Sequence, residues 1–398
     1  MSAPWPPVAH ETLPWVSTLP TEHLTRRQRS ELRPTFEATV PPSIAEAPWT
    51  PPAPLLADLD DITAEISRFD AESPLALAPY AGLLLRSEAA ASSRIEHLTA
   101  SAQAILAAEV GDRSRRNATE IAQNTAALVE AIEPASEPDA AALLSMHATL
   151  LGGVDPQAGQ WRREQVWVGG SDLGPFGAAH VGPTAERVPG LIEDLVVFMR
   201  RDDLPVLAHA ALAHAQFETI HPFTDGNGRT GRALVHAMLR AKRLTRRVTV
   251  PVSAGLLTDT SRYFDALDAY RIGDPGPIVE RMAHAALRGT LEARVLVAEL
   301  VEIHTRWQDR LGARPQAVAW RLVDLLRERP VVTAELVQER LGLAAPHVRR
   351  AVNPLVEAGI LKESRMSQDG RRIVWRAPEA LEALDRFAER SGRRTSGT

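Results

Sequence analysis

Apolar residues recur at steps of three and four along most of this chain, which predicts helices. Leu56, Leu59, Ile62, Ile66 and Phe69 mark one over residues 55 to 70. The stretch from Tyr80 to Val110 is rich in Ala and Leu and free of Pro, so it is helical by propensity. Residues 111 to 152 hold two more, one lined by Ile121, Ala127, Leu128 and Ile132, the next by Leu143, Leu144, His147 and Leu151. Further helices are predicted over 188–200, 206–220 and 233–244, and a long one or a pair over 277–311, with Pro277 in its first turn. Residues 248 to 254 read as extended.

Two regions break this rhythm. Pro4, Pro6, Pro7, Pro41, Pro42, Pro51 and Pro52 forbid long helices before residue 55. Trp5, Trp15, Phe36 and Trp49 in that region suggest an extended arm pinned to a globular body, its first dozen residues the least ordered. Between Gly159 and Gly182, a loose alternation from Trp161 to Val168 runs into Gly169-Gly170 and Gly174-Pro175-Phe176-Gly177. This predicts a short β-hairpin.

Composition narrows the classes. The chain has 398 residues, enough for two or three domains, with 44% apolar and 24% charged residues. A net charge of −5 gives no overall bias toward nucleic acid or membrane. There is no cysteine, hence no disulfide framework and no thiolate metal site. No apolar run reaches membrane-spanning length, and the Pro-rich start lacks the form of a signal peptide, so a cytoplasmic, non-membrane protein is expected. Glu218 and His221 have Glu-x-x-His spacing but stand alone, which argues against a zinc or di-iron site.

The chemistry gathers in His221-Pro222-Phe223-Thr224-Asp225-Gly226-Asn227-Gly228-Arg229-Thr230-Gly231-Arg232. Apolar helical runs flank it, so it reads as a tight loop that opens the second helix. A helix N-terminus offers unpaired N–H groups and partial positive charge. Glycines let the backbone approach a phosphate. Asn227 can add an amide donor, and Arg229 and Arg232 share a helix face and can fork onto phosphate oxygens. Asp225 is a hard ligand suited to Mg²⁺, and His221 can take a proton near neutral pH. These parts describe phosphoryl or nucleotidyl transfer to a hydroxyl. No Gly-Lys-Ser/Thr follows the glycines, so the run is not a P-loop.

The run resembles the Fic (Fido) signature His-x-Phe-x-Asp/Glu-Gly-Asn-Gly-Arg-x-x-Arg at every fixed position. The resemblance extends over roughly residues 35 to 300. It implies Mg²⁺-dependent transfer of AMP from ATP to a protein hydroxyl, on other proteins or on the chain itself. His221 would be the base and Asp225 the metal ligand. Gly226, Asn227 and Gly228 would form the α-phosphate anion hole, and Arg229 and Arg232 would hold the β and γ phosphates. Phe223 is expected to be a core anchor. Tyr263 lies in a segment, Arg262 to Leu267, similar to one that follows the motif in the family; an adenine-lining role and a core role are both open for it.

Two upstream stretches resemble family elements. Ser92-Ser93-Arg94-Ile95-Glu96-His97 is similar to the inhibitory motif Ser/Thr-x-x-x-Glu-Gly/Asn, with His97 in the last place. Ser92 and Glu96 would share a helix face, and Glu96 would engage Arg232 and block productive ATP binding. The predicted hairpin, with Val166, Trp167, Val168, Gly169 and Gly170, resembles the flap that covers the nucleotide and holds the target as an added strand. Trp161 and Trp167 are expected to pack beneath it.

Beyond about residue 315, three short helices are predicted, the second capped by Thr333. A strand starting at Gly359-Ile360-Leu361 follows, then a turn at Asp369-Gly370 and a return strand over residues 371–375. This describes a winged helix-turn-helix. On DNA, His347, Arg349 and Arg350 would face the groove, and Arg365, Arg371 and Arg372 would lie on the wing. Protein docking or homodimer formation through the same fold is the alternative.

The fold expected is mainly α: a Fic-type helical core with a β-hairpin flap and a small C-terminal winged-helix (α+β) domain. The domains would be a Pro-rich arm (1–54), N-terminal helices with the inhibitory segment (55–110), the core (111–311) and the winged helix with its tail (312–398). The alternatives to AMP transfer are removal of AMP from a modified protein, and a DNA-binding regulator whose core senses nucleotide.

Overall fold

Proline excludes helix from much of the first fifty residues, and the backbone there pairs with itself instead. Strands β1 (Ala9–Pro14) and β2 (Thr35–Val40) form an antiparallel pair from Ala9 opposite Val40 to Pro14 opposite Thr35. A short helix α1 (Arg26–Glu31) lies between them in sequence. The computed structural model describes residues 4–16, 24–72, 78–133, 138–171, 173–312, 314, 317–366 and 372–392. The start of the chain is an extended arm pinned by an aromatic side chain, as expected, although Pro4, Pro7, Ala9, His10 and Thr12 stay exposed. The Trp5 ring is buried against Phe198 and Tyr270, with centroids 6.3 and 5.7 Å away.

The chain divides into two compact units. One comprises Met1–Leu59, Ala131–Lys242 and Ser261–Ala283; the other comprises Asp60–Glu130, Arg243–Thr260 and His284–Thr398. The helices α2 (Ala53–Ala71), α5 (Arg116–Ile132) and α12 (Gly276–Arg310) run from one set of residues into the other. Among the described residues, no helix is long and apolar enough to cross a membrane.

The first unit is organised around α8 (Val206–Ile220), which is buried on every side from Leu207 to Ile220. A helix apolar all round is a central helix. Its polar residues are bonded, as burial requires. His209 Nε2 lies 2.9 Å from the Phe198 carbonyl, Gln216 binds the Pro42 carbonyl and the Tyr270 hydroxyl, and Thr219 donates to Ala215. Helix α7 (Val188–Met199) packs on one side, and its Asp194 carboxylate accepts the backbone N–H groups of Ile44 and Ala45. Helix α9 (Asn227–Ala241) packs on another. A Cβ at Gly231 would come within 3.0 Å of His214 and Phe217, so glycine there permits the close approach of α9 to α8. Helix α6 (Ala140–Leu151) and the hairpin β3 (Trp167–Val168) and β4 (His180–Val181) complete the surroundings of the motif.

In the second unit the stretch Tyr80 to Val110 is not one helix. It divides into α3 (Ala81–Ile95) and α4 (Ala102–Glu109), with Ser101 capping the latter through Ala104 N–H. The Glu88 carboxylate, 1% exposed, binds the N–H and hydroxyl of Ser253 and so closes the start of α10 (Val252–Leu256). Residues 252–254, expected to be extended, are therefore helical: a buried carboxylate satisfies the N–H that a helix start leaves open. Asp70 likewise accepts three successive N–H groups, from Arg246, Arg247 and Val248.

Further along lie α13 (Val318–Glu328), α14 (Ala334–Leu341) and α15 (Ala345–Glu357), with Thr333 capping α14 through Leu336 N–H. The strands differ from expectation. β6 is Lys362–Arg365 and β7 is Ile373–Arg376, and β5 (Val331–Thr333) joins them in a three-stranded sheet of order β5-β7-β6. The Asp369-Gly370 turn lies outside the described residues. What was taken for a tail contains α16 (Pro378–Ser391), with Leu381, Leu384 and Phe387 buried.

Two enclosed histidines make stability depend on pH. Burial pushes His214 down to about 3 and His180 down to about 2. An unfolded imidazole titrates near about 6.5, so below that value the unfolded chain binds protons that the folded one does not. Stability is complete above about pH 6.5 and falls as the pH drops toward the folded values. The urea midpoint should therefore decline from about pH 7 to about pH 5, and His214→Gln should flatten the slope. An unchanged slope in that variant would contradict the buried neutral imidazole at position 214.

Candidate active site

Helix α8 ends at His221, which takes a left-handed conformation (φ 50°) and closes the last turn through its N–H to the Phe217 carbonyl, 2.9 Å away. A non-glycine residue at positive φ is held there by its surroundings. The holder is Arg162, 2% exposed. Its Nε donates to the His221 carbonyl at 2.8 Å, and its Nη2 to the carbonyls of Pro183 at 2.6 Å and Ile220 at 3.4 Å. Nη1 donates to Glu164 at 2.8 Å, and the Arg162 N–H reaches the Pro222 carbonyl at 3.0 Å. A cation at a helix C-terminus is favoured by the dipole. Burial lowers its pKa to about 10, so it remains charged at neutral pH. One side chain thereby joins the end of α8, the start of the hairpin and the segment after it.

The loop from His221 to Gly226 is fixed on its other side by aromatic packing and a local pair of bonds. Phe223 is fully buried; it stacks on His147 with centroids 3.7 Å apart and planes 4° apart, and it touches Trp161 at 5.1 Å. His147 Nδ1 accepts the Gly159 N–H at 2.9 Å, so its Nε2 carries the hydrogen that faces the Asp225 carbonyl at 3.0 Å. His147 is a packed histidine, and burial lowers its pKa. Asn227 closes the turn: its Oδ1 accepts the Phe223 N–H and its Nδ2 donates to the Phe223 carbonyl, both at 2.9 Å. These two bonds give the Asn227 amide a structural part in the loop. One Nδ2 hydrogen of Asn227 is used in shaping the loop, which leaves its second amide hydrogen and its backbone N–H as donors.

Gly226 caps α9 at φ 75°, and the first bond inside the helix runs from Thr230 N–H to the Gly226 carbonyl at 2.9 Å. The N–H groups of Asn227, Gly228 and Arg229 therefore have no acceptor within the helix. Arg229 stands one turn in, 4% exposed. Its Nε and Nη1 are buried with no hydrogen-bond partner among the described residues, and its Nη2 lies 3.5 Å from Asp225 Oδ2. A buried guanidinium left this way costs stability unless something anionic completes it. Arg232 is 2% exposed on the same helix. The Asp225 side chain is 71% exposed. Among the described residues no group of three or more His, Asp or Glu could hold a metal ion. A lone accessible carboxylate does fit Mg²⁺ that keeps most of its waters and takes phosphate oxygens as further ligands.

The His221 ring sits 3.3 Å, through Nδ1, from the Glu218 carbonyl and 3.7 Å from the Glu218 carboxylate. A hydrogen on Nδ1 places the lone pair on Nε2. The His180 ring of β4 lies 6.1 Å away, its Nε2 3.0 Å from the Thr219 carbonyl. Neither Arg162 nor His180 was singled out from sequence. Arg162 is indistinguishable there from its exposed neighbour Arg163, and His180 from any hairpin histidine.

The hairpin forms as expected, with Trp167 opposite Val181 and Val168 opposite His180. Val168, Gly169 and Gly170 are exposed, and Val166 and Trp167 are half-buried. Trp15 fastens it to the N-terminal arm, meeting Trp167, Phe176 and Phe36 edge-on at 5.6, 6.0 and 5.7 Å. Tyr263 proves to be a core residue: it is 1% exposed, with its hydroxyl 2.8 Å from His214 Nε2. Phe264 beside it is half-exposed.

In the second unit, Ser92 is buried within α3, and Glu96, one turn further on, is the exposed residue that caps its C-terminus. His97 follows at φ 62°, and its N–H bonds Arg94 while the Leu98 N–H bonds Ser93, both at 3.0 Å. These are the two bonds of a Schellman turn, whose left-handed residue is usually Gly or Asn. His347, Arg349, Arg350, Arg365 and Arg372 are all exposed. Arg349 is paired with Glu363 at 2.9 Å and lies over the Trp375 ring, and Arg372 is paired with Glu335 at 3.4 Å. Arg371 lies outside the described residues.

Residues 137–239 match the Fic/DOC family. A Culex quinquefasciatus protein named "Protein adenylyltransferase Fic" is 35% identical over 147 residues, which are 37% of this chain and 27% of that protein. The Drosophila willistoni protein of the same name is 36% identical over 152 residues, 35% of this chain and 26% of that one. The matched stretch thus spans about a quarter of these relatives. A crystal structure of a Fic family protein from Desulfovibrio desulfuricans superposes with a TM-score of 0.54 at 26% identity, covering 83% of this chain and 97% of that one. Over residues 137–239, the segment that builds the loop and both flanking helices, the chain carries a Fic/DOC family domain.

Proposed function

We propose that this chain transfers AMP from ATP to a hydroxyl of a protein side chain. The observation that carries this reading is Arg229, a buried guanidinium with two unpartnered nitrogens, in the first turn of a helix whose opening N–H groups lack internal acceptors. A polyphosphate completes both. The names of two relatives similar over about a third of this chain point the same way.

In this reading the N–H groups of Asn227 and Gly228 hold the α-phosphate and Arg229 and Arg232 hold the phosphates beyond it. Mg²⁺ at Asp225 would neutralise part of the phosphate charge. The target hydroxyl oxygen attacks the α-phosphorus in line, its proton passes to His221 Nε2, and the bond to the β-phosphate oxygen breaks to release pyrophosphate. The loop supplies position and charge complementarity, which account for most of catalysis in such transfers. The exposed edge at Val168 takes the target backbone as an added strand.

His221→Ala should lower transfer from α-labelled ATP by about 10²- to 10⁴-fold while leaving ATP affinity within a few-fold. Transfer that survives would refute the base assignment. Arg229→Met should weaken ATP binding by about tenfold or more and leave the melting temperature of the nucleotide-free protein unchanged or higher. A lower melting temperature with unchanged ATP affinity would make Arg229 a structural residue.

We also propose that Ser92 and Glu96 restrain this activity. Glu96→Gly should raise labelled AMP transfer, including transfer onto the chain itself. No gain in either transfer or productive ATP binding would remove the inhibitory role.

A further inference from the structure

Within the second unit, α3, α4 and α16 line a partly open pocket of about 270 Å³. It exists because Ala90, Ala91, Ala102 and Ala388 line it and stop at Cβ, while Ile105 and Phe387 form its apolar walls. An apolar cavity of about 150 Å³ accepts a benzene ring, so this one accepts a ring with a short arm.

The rim is polar and asymmetric. Arg86 is paired with Glu109 at 2.8 Å. The Asp385 carboxylate is held by the Ala102 N–H at the start of α4, also at 2.8 Å. Arg94 donates through Nη1 to the Ala388 carbonyl at 2.7 Å, and among the described residues it forms no ion pair. The rim therefore offers one guanidinium with donors to spare for a carboxylate.

We propose that this cavity is a binding site for a small amphipathic carboxylic acid, with its ring or short chain among the alanines and its carboxylate on Arg94. Arg94 and Leu98 both border the cavity and both belong to the turn that carries Glu96 and His97. Occupation tightens that turn. Control of the transfer reaction would follow only through the inhibitory reading of Glu96, whereas binding itself does not depend on that reading.

The test is calorimetric titration of the intact chain, without nucleotide, using 3-phenylpropionate and its neutral amide. The acid should bind about tenfold more tightly than the amide, a difference that Arg94→Gln should erase. Ala388→Phe should abolish binding of both while leaving the melting temperature unchanged or raised. Hydrogen exchange with the wild-type chain should slow across residues 94–106 and 384–391 when the acid is present. Absence of binding by both probes at millimolar concentration, binding unaltered in Ala388→Phe, or protection confined to other segments would each overturn the proposal.

Discussion

A single buried guanidinium sets the geometry on which the rest of the site depends. Arg162 binds the carbonyls of Ile220 and His221 at the end of α8 and of Pro183 beyond the hairpin, and its own N–H binds Pro222. Helix ends leave carbonyls unsatisfied, and a buried end needs donors. Arg162 supplies several from one side chain, and it stabilises the left-handed conformation that turns His221 out of the helix. Without that clamp, His221 would have no reason to keep positive φ, and the hairpin would lose its register with the loop.

Support and chemistry fall to different residues within the same dozen positions. Phe223, stacked on His147, and the amide of Asn227, bonded to both backbone groups of Phe223, hold the loop. Gly226 and Gly231 are glycine for separate reasons: the first takes positive φ at the cap, and the second clears space for His214 and Phe217. What stays incomplete is the set facing outward: the opening N–H groups of α9, two nitrogens of Arg229 and an exposed Asp225. Local incompleteness inside an otherwise satisfied frame is where a charged ligand belongs.

The long helices and the hairpin before the motif were legible because their signals are local. Residue periodicity located α7 and α8, and the glycine clusters located the β3–β4 turn. The misreadings lie where particular hydrogen bonds, near or far in sequence, override local propensity. Ala-rich propensity argued for one helix from Tyr80 to Val110, yet backbone bonds at Arg94 and Ser93 end it and put His97 where glycine is usual. Proline marked an extended arm at the start but not its strand pairing, which β1 and β2 make across twenty intervening positions. The structural part of the Asn227 amide, bonded to both backbone groups of Phe223, was not legible in the sequence. Helix α16 was the exception: Pro378 at its first turn and Leu381, Leu384 and Phe387 at helical spacing were readable and were passed over as a tail.

Everything functional rests on the start of α9 being a polyphosphate site. Hydrogen exchange of the intact chain with and without magnesium-ATP measures this most directly. The account predicts that amides of residues 226 to 230 gain the largest protection, and that Arg229→Met removes it. Saturation with ATP that leaves those amides unprotected, or that protects them equally in the variant, would contradict it.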